Sequence, residues 1–229
     1  MSAVAAKRGP IVAIDGPAGA GKSTVAAHLA RRFGLLNLET GAMYRALALK
    51  CARKSVNVDD AAAVTVQTEN TRIELQPTEQ GNRVLLDGED VTAQLRTPEI
   101  TALASRVSVH GSVRQWMVAQ QRAMGLASPV GVVMEGRDIG TVVFPDADVK
   151  IFLDASAEVR GDRRFVQQGG ASEESREQTL REVKERDARD RSRAESPLRP
   201  AEDAIIVDTT GMSLDDVLKR AEEIVTNHS

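Results

Sequence analysis

The sequence predicts an α/β fold: a parallel sheet covered by helices on both faces, with a small inserted antiparallel β-containing domain and a helical lid. Three observations predict it. Short apolar runs rich in β-branched residues alternate with longer stretches of helical periodicity. Polar motifs sit just past those runs, at Gly16, Glu135 and Asp154, and ligands in such sheets bind at the carboxyl ends of the strands. From about residue 67 the character changes: residues 71–75 alternate and turn-rich segments follow, as in a small antiparallel sheet.

Residues 11–14 form the first buried strand, closed by Asp15-Gly16-Pro17. Residues 23–33 follow as a helix with Val25, Leu29 and Phe33 on one side and Gly34 at its end. Residues 35–38 are a second strand, and 41–52 a helix with Met43, Leu47 and Cys51 four apart. Residues 71–75 alternate, 83–86 follow after a turn-rich segment, and Asp87-Gly88 is a hairpin signal. Helices are expected over 98–110 and 113–124, a buried strand over 130–134 and another over 149–153. A basic helix over 157–168 is broken by Gly169-Gly170, and a highly charged helix runs from 173 to about 193. Residues 204–207 make a last strand. The last helix spans 213–225, with Ser213 and Asp216 in capping-box spacing. The chain divides into a core, residues 1–66 and 105–229 with the lid at about 169–189, and an insert at 67–104.

The chain has 229 residues, 41% of them hydrophobic and 28% charged, with a net charge of -3. That suits one sizeable core with a small addition. The acidic balance argues against nucleic acid as a main partner. One cysteine, Cys51, excludes an intrachain disulfide and fits a reducing compartment. Residues 1–10 carry Lys7 and Arg8 without an apolar stretch, so no secretion signal is expected. No apolar run reaches the ~18 residues of a membrane span. A cytoplasmic monomer without membrane contact is expected. The three histidines, His28, His110 and His228, have no metal-ligand spacing. Trp116 and Met117 read as helix packing.

Gly16-Pro17-Ala18-Gly19-Ala20-Gly21-Lys22-Ser23 matches the phosphate-loop pattern G-x-x-x-x-G-K-[ST], followed by Thr24. Glycines let consecutive N–H groups face one phosphate, and the helix beginning near Lys22 adds its positive end. Lys22 reaches the β- and γ-phosphates, and the Ser23 hydroxyl is a Mg²⁺ ligand. Its four fixed positions would match by chance in about one per cent of chains this long. ATP and Mg²⁺ are therefore the expected donor and cofactor. No Asn-Lys-x-Asp segment for guanine is present, and the strand at 130–134 ends in Glu135-Gly136 rather than Asp-Glu. The late helix Lys184-Glu185-Arg186-Asp187-Ala188-Arg189-Asp190-Arg191-Ser192-Arg193 reads either as a solvated face with Glu185–Arg189 and Arg186–Asp190 pairs or as a mobile lid. Its length and the Gly-Gly break favour the lid.

Taken with Thr40-Gly41-Ala42-Met43-Tyr44-Arg45, Asp87-Gly88-Glu89-Asp90-Val91-Thr92, Glu135-Gly136-Arg137-Asp138-Ile139-Gly140-Thr141-Val142-Val143-Phe144-Pro145 and the Glu185 to Arg193 segment, the chain resembles the bacterial cytidylate kinases, a family of P-loop nucleoside monophosphate kinases. These stretches lie in the family's order across nearly the whole chain. Glu39 departs from the aspartate usual there, at a position expected to be peripheral. The resemblance implies a P-loop kinase core and transfer of the γ-phosphoryl group of ATP to CMP or dCMP. It implies that Thr40, Arg45 and Arg137 hold the acceptor phosphate, with Tyr44 beside them. Ser105, Arg114 and Asp138 would read cytosine, and Arg186 and Asp190 the sugar. Arg193 would reach sugar or phosphate, and Arg160 and Arg164 would face the ATP phosphates. Lys22, Arg137 and Arg193 are the expected catalytic set. From sequence alone Ser105 and Arg114 are ordinary helix residues, and only the resemblance promotes them. A phosphate acceptor needs no general base. Glu135 or Asp15 could support Mg²⁺ through water. An alternative acceptor, or a nucleotide-dependent switch, is the rival reading.

Overall fold

The computed structural model describes residues 9–78, 81–167, 169–170 and 172–228. The leader reading at residues 1–8, Gln168 of the basic helix and Ala171 of the lid lie outside them. Five strands, β1 (Ile11–Asp15), β2 (Leu36–Glu39), β6 (Val132–Glu135), β7 (Val149–Asp154) and β8 (Ile205–Asp208), form one parallel sheet in the order β2-β6-β1-β7-β8. The chain leaves β1 for one edge, returns beside it with β6, and then builds outward on the other side. The crevice at this reversal lies at the carboxyl ends of β1 and β6, where Ile14 is in register with Glu135.

Alternation along the strands divides the core in two. Val12, Ile14, Val133, Ile151 and Leu153 pack against α1 (Lys22–Phe33) and α8 (Leu214–His228) on one face. Ile11, Ala13, Val132 and Met134 pack on the other with Ile139, Val143 and Phe144. Helix α8 begins with Ser213 Oγ accepting from Asp216 N at 3.2 Å, the expected cap.

A second sheet, β3 (Ile73–Thr78), β4 (Gly81–Leu86) and β5 (Glu89–Asp90), is antiparallel in the order β3-β4-β5. Asp87 and Gly88 take φ values of 52° and 90° at its tight turn, as a two-residue hairpin requires. This sheet shares a core with α2 (Thr40–Arg53), α3 (Ala61–Glu69), α4 (Pro98–Val107) and α5 (Gly111–Leu126), closed around Leu47, Val64, Val84, Ile100 and Met117. Cys51 lies fully buried in it. Helix α3 was not anticipated. Its cap was visible, since Asp60 Oδ1 accepts from the N–H groups of Ala62 and Ala63, but Val64, Thr65, Val66 and Thr68 weaken its helical signature.

Helices α6 (Ala157–Gln167) and α7 (Glu173–Ser192) pack as a hairpin whose turn includes Gly169. Among the described residues, no helix is long and apolar enough to cross a membrane.

Candidate active site

Three strand ends build the floor of the site. β1 runs into the phosphate loop, and α1 starts directly behind it at Lys22. Asp15, at the end of β1, accepts from the N–H groups of Ile139 and Gly140 at 2.8 and 2.7 Å. It thereby pins a wide helical turn, Ile139–Val143, that follows Gly136-Arg137-Asp138. Both its oxygens are engaged there, and burial pushes its carboxyl up to about 6.

Glu135, at the end of β6, takes a different part. Its Oε1 lies 2.5 Å from the Ser23 hydroxyl. Burial, with Glu39 alongside, raises its carboxyl. A hydroxyl and a carboxylate beside a phosphate loop are hard oxygen donors. Mg²⁺ suits such a pair, because it keeps water and phosphate in most of its coordination sphere. Ser23 and Glu135 therefore fit the ion, and Asp15, tied to backbone, does not compete. The histidines take no part: His28 meets Glu222, His110 the carbonyl of Val58, and His228 that of Ile224. No cluster of three His, Cys, Asp or Glu that could hold a metal occurs among the described residues.

Lys22 is buried, and its Nζ donates to Pro17 O at 2.7 Å. Burial, then Arg137 and Arg186, pull its ammonium from 10.5 down to about 7. Arg186 is likewise pulled to about 9, by burial and then by Arg137, Arg45 and Arg164. Burial lowers Arg164 as well, with Arg45 and Arg137 adding to it. Lys22, Arg45, Arg137, Arg164 and Arg186 thus form one cationic cluster. Carboxylates lie among it: Glu135 and Asp15 beside Lys22, Glu39 on Arg45 and Glu182 near Arg164. Asp190 meets Arg137 Nε at 3.0 Å, Arg193 at 3.4 Å and Arg186 at 4.0 Å. Burial opposes ionisation of Asp190, but the three arginines still hold its carboxyl below the usual range. The buried Nε atoms of Arg164, Arg186 and Arg193 find no hydrogen-bond partner among the described residues. Buried unfilled donors are costly, and an anion with several oxygens would satisfy them.

The expected substrate residues lie beside this cluster. Thr40 is buried and donates to Glu135 O at 2.7 Å. Arg114 and Asp138 form a short buried ion pair, and Arg114 also donates to Ser108 O at 3.2 Å. The Arg114 guanidinium stands 5.7 Å from the Tyr44 ring centroid. Burial pushes the Tyr44 hydroxyl up to about 12, so Tyr44 is a neutral wall. Ser105 is buried, with its Oγ 3.4 Å from Arg189 Nε. Sequence reasoning passed over Arg189, because an arginine on a charged helix carries no local signal of its target.

Arg160 is engaged within the chain: Nε donates to Ala155 O at 2.8 Å, Nη1 to Ala18 O at 3.0 Å, and Nη2 to Asp187. One expectation needs correction. Glu39 is not peripheral. It lies in register with Glu135 and accepts from Arg45 at 2.7 Å and Arg96 at 3.0 Å. It joins the insert to the site, which its place at the end of a predicted strand could have suggested.

Fold and loop together define a P-loop kinase. A model of the family described as cytidylate kinase matches residues 12–227. The cytidylate kinase of Syntrophotalea carbinolica is 47% identical over 216 residues, covering 94% of this chain and 91% of the relative. Those of Geobacillus sp. (strain WCH70) and Geobacter sulfurreducens are 50% and 47% identical, covering 93% and 98% of this chain and 95% and 96% of their own lengths. An uncharacterized protein from Eubacterium ventriosum shares the fold with a TM-score of 0.51 at 11% identity, covering 95% of this chain and 98% of its own. The chain belongs to the cytidylate kinase family.

The depressed Lys22 has a measurable consequence. A bound triphosphate favours the ammonium, so it raises the group's pKa and draws a proton from solvent. Binding of a non-hydrolysable ATP analogue at pH 8 should take up close to one proton per site. Between about pH 7 and the pKa of the bound form, affinity should fall by up to about tenfold per pH unit. Calorimetry in buffers of different ionisation enthalpy measures the uptake. Zero uptake at pH 8 would mean that Lys22 is already charged in the free chain.

Proposed function

We infer that the protein transfers the γ-phosphoryl group of ATP to CMP, giving CDP and ADP, and that it accepts dCMP as well. The observation that carries this reading is the buried cationic cluster with unfilled Nε donors, set between the phosphate loop and the Arg114–Asp138 pair. Family membership supports it.

Each residue's part follows from its place. Backbone N–H groups of the loop from Gly16 to Ser23, all but that of Pro17, which has none, receive the donor phosphates with Lys22, and Thr24 follows in the same turn. Ser23, supported by Glu135, would hold Mg²⁺, whose charge offsets that building on the transferred group. Thr40, Arg45 and Arg137 hold the acceptor phosphate. Ser105, Arg114 and Asp138 read the base, and Tyr44 walls it. Arg186, Asp190 and Arg193 orient the sugar, while Arg164 faces the region between the two phosphates. An acceptor phosphate oxygen is anionic at neutral pH, so no base is needed. Catalysis is positioning and charge neutralisation by Lys22, Arg137 and Arg193. Residues at about 169–189 act as a lid that excludes water, and 67–104 as the insert that closes over the acceptor. We take the working form to be a cytoplasmic monomer with small nucleotides, not nucleic acid or membrane, as partners.

A coupled ADP-release assay across CMP, dCMP, UMP, AMP and GMP tests the reading. ADP should form rapidly with CMP and dCMP, slowly with UMP, and hardly at all without an acceptor. ADP released equally well with no monophosphate would make this a nucleotide-dependent switch instead.

A further inference from the structure

We propose that Arg160 is a positioning residue that ties the phosphate loop to α7 and so couples the donor and acceptor sites. The proposal rests on the two-nucleotide reading above. Arg160 is buried, 3% exposed, and its fork bridges two elements far apart in sequence: Nη1 donates to Ala18 O at 3.0 Å and Nη2 to Asp187 on α7. A third donor, Nε, holds Ala155 O at 2.8 Å and fixes the root of the side chain at the start of α6. Packing agrees with this contact. A Cβ on Gly19 would meet Arg160 O at 2.9 Å and Arg160 Cβ at 3.1 Å, and Gly19 has a φ of +79°. Only glycine lets the loop lie this close to α6 in that conformation.

The contact sets loop geometry. Across a trans peptide the C=O and the next N–H point in opposite directions, and the described chain has no cis peptide. Holding Ala18 O toward Arg160 therefore turns the Gly19 N–H away from it. A shift of the loop around a triphosphate must move Ala18 O, and with it the guanidinium.

Helix α7 receives that movement. Asp187 is next to Arg186 of the cationic cluster, and one turn on, Asp190 holds Arg137 at 3.0 Å. The same turn of α7 thus holds Arg160, and through it the donor loop, at one residue and the acceptor-phosphate arginine at another. Asp187 also has room for a second arrangement. Only its Oδ2 engages Arg160, while the buried Oδ1 has no hydrogen-bond partner among the described residues. A guanidinium can change from one oxygen to a two-oxygen grip without losing its ion pair. Lysine offers a single nitrogen where Arg160 uses three, so it cannot hold Ala155 O, Ala18 O and Asp187 in the geometry that the planar fork sets.

The test measures CMP binding by calorimetry with and without a non-hydrolysable ATP analogue and Mg²⁺. In the wild-type chain the analogue should tighten CMP by a factor in the range of about 5–150, and CMP should tighten the analogue equally. In Arg160→Lys and Asp187→Asn that factor should fall to about one, while CMP binding alone stays within about twofold. A third variant, Arg160→Met with Asp187→Leu, separates coupling from folding. Replacing a buried ion pair by apolar residues of similar volume is often neutral or stabilising, so the melting temperature should rise above those of the single variants, short of wild type by the two carbonyl hydrogen bonds lost at Ala18 and Ala155, while the coupling factor stays near one. Coupling that returns together with melting temperature would reduce Arg160 to a structural brace and overturn the proposal. So would a wild-type chain that binds both nucleotides independently. A wild-type chain that binds the analogue but no CMP would fail the substrate reading, and the coupling with it.

Discussion

Lys22→Ala should lower turnover by about 10³-fold or more, the order lost when one preorganised charge-stabilising donor is removed, while the fold stays intact. The loop places Lys22 on the phosphates between which charge moves. Arg137 and Arg45 are already committed, the first to Asp190 and Gly136 O and the second to Glu39. The same substitution should leave the melting temperature unchanged or raise it. In the free chain Lys22 is buried among arginines that draw its pKa to about 7. Its folded pKa lies below its unfolded value, so the charged form is disfavoured by folding. That destabilisation is fully present below about pH 7 and fades as pH rises toward 10.5. Alanine removes the strained cation, and a function-bearing group whose loss stabilises the chain is the mark of a stability–activity trade-off. Thermal melts at pH 6 and pH 9 check the sign: any gain from Lys22→Ala should be larger at pH 6. A mutant with near wild-type turnover would end the phosphate-loop argument, and one that melts much lower at both pH values would show Lys22 to be structural.

How far the site could be read from sequence depended on whether each residue's partner was local. The phosphate loop was fully legible, because its chemistry is carried by backbone and side chains within one turn of chain. Arg137 and Asp138 were legible at the end of a buried strand. Their partners were not. Asp138 meets Arg114, 24 residues earlier, and Arg137 meets Asp190, 53 residues later. A helix-borne arginine looks the same in sequence whether it faces water or a buried carboxylate, so Arg114 and Ser105 entered only through resemblance. For Arg160 a basic helix beside an ATP site invites a phosphate contact, but nothing local announces Ala18, Ala155 and Asp187, to which its donors run. The sheet order was legible only as a class, since alternation of strands and helices does not say on which side of β1 each return falls. Of the two i, i+4 pairs read on α7, Glu185–Arg189 at 3.9 Å lies on an exposed face, while Arg186–Asp190 at 4.0 Å lies inside the cationic cluster. The helix also turned Asp187 and Asp190 inward, where periodicity alone gave no reason to look.

The choice of base gives the sharpest expected result. Asp138→Asn should lower kcat/KM for CMP by about 5- to 150-fold more than for UMP, the equivalent of ~1–3 kcal/mol for a mismatched buried hydrogen bond. Cytosine offers an N4 amino donor where uracil offers the O4 acceptor, and an ionised carboxylate only accepts. Asp138 is 5% exposed and held in place by Arg114, so it has little freedom to turn from an unfavourable oxygen. A side-chain amide at the same place can rotate to donate to O4, which relieves the penalty for UMP as it removes the reward for CMP. One rival role for Asp138 is merely to orient Arg137. The geometry does not support it, because Arg137 is held by Asp190 and Gly136 O instead. The remaining rival is that Asp138 serves only to neutralise Arg114. Removing one charge of a buried pair costs about 3–5 kcal/mol, so that role predicts a lower melting temperature and equal losses for both substrates. Unequal losses with a ratio that persists well below the melting transition assign Asp138 to the base. Equal losses return it to holding Arg114.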